Sequence, residues 1–232
     1  MLGSPSVSPL RFDAQGLIVA IAQDHLNGEV RMVAWMNSEA LERTLDTGFA
    51  TFFSRSRQRL WTKGEESGNR LKVHGVRADC DGDTLVLSVS AEGPSCHTGA
   101  RNCFFNPVDR SMQMQDSADA RPLLPPLAQL EATIAERRTS SAEKSYTKSL
   151  LEAGPERICA KITEEAGELA AAIDAESPER VASEAADLLF HMLVGLSARG
   201  VSFDRVIEVL SGRMGVSGHV EKASRGERQQ TR

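Results

Sequence analysis

The hydrophobic period of this chain changes part-way along, and that change limits the folds open to it. From Leu17 to about Phe105 apolar residues run in short stretches broken by Gly and Asp, as in Leu17-Ile18-Val19-Ala20-Ile21-Ala22 and Thr84-Leu85-Val86-Leu87-Ser88-Val89. Such stretches read as strands, so this part predicts a mainly β (α+β) domain. One helix is expected inside it, opening at the capping residue Asn37 and stopping near Thr47-Gly48. Beyond Leu127 the spacing turns helical. Leu130, Ile134 and Arg138 share one stripe, Ile158, Ile162, Leu169 and Ile173 a second, and Val181, Leu188 and Met192 a third. This part predicts an all-α helical bundle. Between the two, residues 106–126 hold four prolines with Asp and Ser and show no period. The resulting division is a domain over 1–108, a linker over 109–126, a second domain over 127–215 and a polar tail over 216–232 expected to be disordered.

A hydrophobic content of 41% and a charged content of 25% exclude a disordered chain. The net charge of -5 argues against a general nucleic-acid binder, which needs surplus Lys and Arg. No apolar run approaches the ~20 residues of a membrane span, and Met1 to Phe12 lacks the features of a signal or transit segment. A cytoplasmic address is expected. In that reducing compartment the grouping of Cys80, Cys96 and Cys103 suggests metal rather than disulfides.

Three cysteines would leave one zinc coordination position for water, the arrangement of a catalytic site. Zinc lowers the pKa of that water toward ~7 and so favours attack on an electron-poor ring carbon. The spacing is not that of a zinc ribbon, and buried, unliganded thiols remain an equal reading of it. Asp79-Cys80-Asp81-Gly82-Asp83 places three carboxylates at alternate positions around an Asp-Gly turn. Hard oxygen ligands suit magnesium and thiolates suit zinc, although Asp-rich turns are also common as solvated loops.

Gly93-Pro94-Ser95-Cys96-His97-Thr98-Gly99 and the segment Ser54 to Glu65 (SRSRQRLWTKGE) resemble phosphoribosyl-AMP cyclohydrolase. Met36-Asn37, Ser67-Gly68-Asn69, the Asp79 to Asp83 segment and Cys103-Phe104 follow the same pattern in the same order, over nearly all of residues 15–107. The resemblance implies zinc on Cys80, Cys96 and Cys103, magnesium on Asp79, Asp81 and Asp83, and a homodimer whose zinc sites draw on both chains. Arg55, Arg57 and Lys63 are candidate phosphate clamps, because the substrate so implied carries two phosphates. Trp61 could stack on the base or fill the core. His97, beside Cys96, is the candidate proton carrier.

In the second domain Lys161, Glu164, Glu165 and Glu168 lie on one side of a helix that starts near Pro155. Ser177-Pro178-Glu179 opens another helix, with Glu184, Asp187 and His191 on one stripe. An antiparallel pair turning near Glu176 sets Glu168 against Glu184, Glu165 against Asp187 and Lys161 against His191. Eight residues at ~1.5 Å each put this level roughly 12 Å from the turn. Converging carboxylates repel unless a cation neutralises them, so a divalent-metal site resolves the conflict.

Glu-Glu-x-x-Glu followed by Glu-x-x-Asp resembles the all-α pyrophosphohydrolase superfamily, with Glu164, Glu165, Glu168, Glu184 and Asp187 as the implied magnesium ligands. Lys144-Ser145-Tyr146-Thr147, Leu150-Leu151 and Ala186 to His191 (ADLLFH) resemble its phosphoribosyl-ATP pyrophosphatase branch, over about residues 127–214. Lys144 and Lys161 then become candidate phosphate partners and Glu165 the candidate catalytic acid or base. Cys159 reads as a core thiol. The two resemblances imply consecutive hydrolytic steps of histidine biosynthesis, the product of the second domain being the substrate of the first. Two rivals are a house-cleaning nucleotide pyrophosphatase with a cyclohydrolase-like domain, and a non-catalytic zinc dimerisation module joined to a helical interaction bundle.

Overall fold

The computed structural model describes residues 9–114, 121–139 and 145–214. Lys144 and the expected tail over 216–232 lie outside them. The chain divides into two compact units, Met1–Pro125 and Pro126–Arg232.

The first unit is mainly β. Strands β1 (Ile18–Asp24), β2 (Val30–Met36), β5 (Leu71–Ala78) and β6 (Thr84–Ala91) form one sheet in the order β2-β1-β6-β5. Its central pair, β1 and β6, is parallel, and the outer pairings are antiparallel. Strict alternation makes one face the core: Ile18, Ala20 and Ala22 of β1 lie beside Leu85, Leu87 and Val89 of β6, all buried. Helix α1 (Ser38–Thr47) follows β2. The Asn37 side chain accepts from the Ala40 N–H at its start, and Gly48 takes the left-handed conformation (φ 72°) at its end, as the sequence predicts. A two-stranded hairpin, β3 (Thr51–Ser54) and β4 (Arg59–Thr62), adds Phe52 to the same core. The segment expected to be linker folds back at its end: the Leu123 N–H donates to the Phe104 carbonyl (2.9 Å), and the Asn102 amide donates to the Leu123 carbonyl (3.1 Å).

The second unit is helical. Its elements are α2 (Pro126–Thr139), α3 (Tyr146–Ala153), α4 (Pro155–Ala175), α5 (Pro178–Ala198) and α6 (Phe203–Ser211). The long helices α4 and α5 pack along each other, and Ile134, Leu150, Ile158, Leu193 and Val194 make the core. Ser177 caps α5 by accepting from the Arg180 N–H, with Pro178 in the first turn.

Four expectations fail here. Ile173, at the end of the second stripe, is exposed and Ala172 takes its inward place. Met192 is also exposed, because the buried face of α5 is set by Glu184, His191, Leu193 and Val194 rather than by the stripe through Val181 and Leu188. Cys159 is exposed, one position round α4 from buried Ile158. Helix α5 is also long and apolar enough to cross a membrane by length and composition, with mean hydropathy 1.3, which corrects the reading that no run approaches such a length. Core helices of soluble proteins pass the same test, and this one carries Glu184, Asp187 and His191.

Candidate functional site

A cleft of 540 Å³ in the β unit is lined by Arg57, Trp61, Lys63, Cys96, His97 and Cys103, among others. These residues come from the β3–β4 hairpin and from the loop that follows β6. Gly64 at φ +79° permits a close approach there, because a Cβ would stand 2.4 Å from the Asn69 backbone. The approach lets the Lys63 ammonium donate to the Asn69 carbonyl (3.1 Å). Burial lowers the Lys63 pKa, and the thiol groups of Cys103 and Cys96 oppose that shift. Trp61 packs against Phe52 with ring centroids 5.1 Å apart, so it belongs to core and cleft together. Arg55 does not line the cleft. Its guanidinium stacks 4.8 Å from the Trp35 ring centroid.

Cys96 is buried and Cys103 exposed, and their side chains interact. Burial alone would raise the Cys96 pKa, but hydrogen bonds from the Thr98 hydroxyl (3.1 Å) and the Thr98 and His97 backbones outweigh it and hold the thiol below its ordinary range. Burial, then the neighbouring Cys96, pushes the Cys103 pKa up to about 11. Two neighbouring sulfurs make a soft donor set of the kind that fits zinc. The His97 ring lies 3.8 Å from the Cys96 sulfur. Cys80 is not with them. It sits in the turn before β6 while Cys96 follows the end of that strand, and the 8 residues of β6 span roughly 26 Å.

Two groups of three or more potential ligands converge among the described residues. Asp79, Asp81 and Asp83, all exposed, each offer an oxygen within 4.8 Å of the others. Burial would raise the Asp79 pKa, but its carboxylate accepts the backbone N–H groups of Thr84, Asp83 and Gly82, and these hold it low. The same bonds that make this a stable turn orient the three acids together.

Glu165, Glu184 and Asp187 form the second group, again within 4.8 Å, with the two glutamates buried. Glu168 lies beside this set and interacts with Glu184: burial, then the charges of Glu165 and Glu184, raises its pKa. The expected facing pairs Glu168/Glu184 and Glu165/Asp187 therefore come together. Lys161 donates to Glu165 and Glu164 at 2.9 Å each, and those bonds hold its pKa above the ordinary range. They also lower the pKa of Glu164, which stands outside the convergent group. Lys161 and His191 meet at one oxygen, Glu165 Oε1.

The families of known proteins divide this chain at the same place. Phosphoribosyl-AMP cyclohydrolase matches residues 32–105, and phosphoribosyl-ATP pyrophosphohydrolase matches residues 127–213. The histidine biosynthesis bifunctional protein HisIE of Parasynechococcus marenigrum (strain WH8102) is 46% identical over 213 residues, covering 90% of this chain and 94% of that protein. This chain belongs to that bifunctional histidine-biosynthesis family. Other members carrying the same description come from Prochlorococcus marinus (strain MIT 9313), 47% identical with 90% and 94% covered, and from Deinococcus radiodurans, 44% identical with 91% and 95% covered. Like them it is a bifunctional enzyme, and both of its domains, cyclohydrolase and pyrophosphohydrolase, are hydrolases.

Several partners of these sites escape a reading of the sequence. Thr98 donates to Cys96. The Arg180 guanidinium pairs with Glu184, an i, i+4 spacing that could have been read. Tyr146 Oη lies 3.0 Å from His191 Nε2, and His191 Nδ1 lies 2.9 Å from the Asp187 carbonyl. A carbonyl only accepts, so the Nδ1 of His191 donates to Asp187. No sequence spacing marks the contact of Tyr146 with His191, because it joins residues of α3 and α5.

Proposed function

We propose that the helical unit cleaves phosphoribosyl-ATP between its α and β phosphates to give phosphoribosyl-AMP and pyrophosphate, and that the β unit then opens the adenine ring of that product by hydrolysis. The observation that carries this reading is the pairing, in one chain and in this order, of a cyclohydrolase domain with a pyrophosphohydrolase domain. Cys96 and Cys103 of one chain with Cys80 of a second copy are the proposed zinc ligands, which makes the homodimer part of the active site. Asp79, Asp81 and Asp83 are proposed for one magnesium site. Glu165, Glu168, Glu184 and Asp187, with Glu164 at the margin, are proposed for the other. When bound, zinc supplies acidified water at the ring carbon and magnesium supplies positive charge at the phosphates.

The residues of the chain do the rest. Arg57 and Lys63 bind the phosphates of phosphoribosyl-AMP from the cleft wall, and Arg55 joins them only by leaving Trp35. Trp61 offers a ring face to the base. His97, exposed beside Cys96, moves the proton between water and ring nitrogen. In the helical unit Glu165 orients the attacking water and takes its proton, while Lys161 and Lys144 neutralise phosphate charge. Cysteines that serve as zinc ligands rather than disulfide partners fit a reducing, cytoplasmic address.

The test is incubation of the purified full chain with phosphoribosyl-ATP, Mg²⁺ and Zn²⁺, following pyrophosphate and the ring-opened product together. Both should form, pyrophosphate first. Release of pyrophosphate from ordinary triphosphates at equal rate, or no ring opening, would overturn the assignment.

A further inference from the structure

Glu29 carries a carboxylate that none of this chemistry uses. It stands in the turn between β1 and β2, its side chain wholly removed from solvent. A buried carboxylate is costly unless paired, and three partners converge on this one: Arg101 Nε at 2.7 Å, Asn102 Nδ2 at 2.7 Å and the Arg31 guanidinium at 3.3 Å. Two of the three are the residues immediately before Cys103. The third, Arg31, is held by Asp24 (2.7 Å), accepts the Cys103 N–H on its backbone carbonyl (3.0 Å), and donates to the Arg101 carbonyl (3.4 Å). The loop from Ser95 to Phe104 lies outside helix and strand, so no sheet ladder fixes it. Its own closure, Ser95 N–H to Arg101 carbonyl (3.2 Å) and Cys96 N–H to Ala100 carbonyl (3.1 Å), passes the anchored position on to Cys96.

We propose that Glu29 is a positioning residue for the metal centre: it clamps Arg101 and Asn102 so that the Cys96 and Cys103 sulfurs are held at one separation before a cation arrives. A hydrophobic plug at this place would stabilise the fold equally well, but it could not reach into the loop through directed bonds to two successive residues. The proposal rests on the zinc reading given above. Ligand-orienting groups of this kind typically change metal affinity by about 10- to 100-fold.

The experiment measures zinc affinity of the full chain by competition with a chromophoric chelator, alongside the thiolate-to-cobalt absorption of the cobalt-loaded protein and the melting temperature of the metal-free protein. Glu29→Gln should lose about 10-fold or more in affinity and weaken the cobalt band. Arg101→Ala removes the half-exposed end of the clamp and leaves Glu29 its other two partners, so it serves even if Glu29→Gln unfolds. It should stay folded but melt lower than wild type when metal-free and bind zinc more weakly with a weaker cobalt band, and Arg101→Lys should recover part of the affinity. Wild-type affinity and an unaltered cobalt spectrum in folded Arg101→Ala would overturn the positioning role alone. A wild-type chain that takes up no zinc would remove the metal reading and this proposal with it.

Discussion

The helical unit gathers its charged site within one chain, whereas the β unit leaves one of its three thiols at the far end of a strand. Glu165, Glu184 and Asp187 meet because two helices packed about a short turn bring residues equidistant from it to one level. Cys80 and Cys96 are separated because β6 is extended, and an extended strand carries its two ends apart. A helix pair can therefore converge its acids by counting residues, while the extended strand keeps Cys80 apart from Cys96, the separation that the proposed shared site would bridge.

The sharpest way to break that contrast is with the cysteines. Cys80→Ser and Cys103→Ser should each abolish ring opening when alone. Mixed and allowed to exchange subunits, they should recover about a quarter of wild-type turnover, because half the dimers are mixed and each of those keeps one intact site. No recovery on mixing would make the third ligand a member of the same chain. Glu165→Gln supplies the complementary result. Pyrophosphate release should fall on the order of 10³-fold while phosphoribosyl-AMP opening stays at wild-type rate, measured with each substrate separately. Loss of both activities would mean that the two units do not work independently.

Legibility follows the same division. The facing glutamates were readable because Ser177-Pro178-Glu179 marks the turn and helical rise is constant. The strands and α1 were readable from Asn37, Gly48 and the alternation through Ile18 and Leu85. Direction round a helix was less so: Met192 points outward because Glu184 and His191 share the buried face of α5, and Ile173 and Cys159 stand one position round α4 from buried Ala172 and Ile158. Contacts across long separations were not legible at all. Glu29 meets Arg101 and Asn102 more than seventy positions away, and Arg55 finds Trp35, through tertiary packing that leaves no local pattern.

Two smaller effects sharpen the helical side. Tyr146→Phe leaves the Nε2 of His191, a residue only 5% exposed, without its hydroxyl partner, and should cost about 1–2 kcal/mol of unfolding free energy with wild-type helix content. No measurable change in a denaturant titration would mean that the hydroxyl is idle. The last effect concerns pH. Burial and the neighbouring Glu165 and Glu184 raise the Glu168 pKa above the ordinary 4.5, so its folded form holds a proton more tightly than its unfolded form. The metal-free unit is penalised above the raised pKa and relieved as pH falls through it toward 4.5. A divalent cation does the same work as that proton. Mg²⁺ should therefore raise the melting temperature more at about pH 8 than at about pH 5, read by calorimetry, and equal shifts would argue against a cation among these acids.

Leu123 has a practical consequence for anyone who wants the two activities on separate polypeptides. Its main chain is laced to Phe104 and Asn102, one residue to either side of Cys103. A scissile point at the apparent end of the strand-rich pattern, near residue 108, would strip away this lacing and uncover the apolar hollow that Phe104 shares with Leu124 and Pro125. Severing the chain after Pro125 keeps that stitch, and with it the loop that presents both sulfurs.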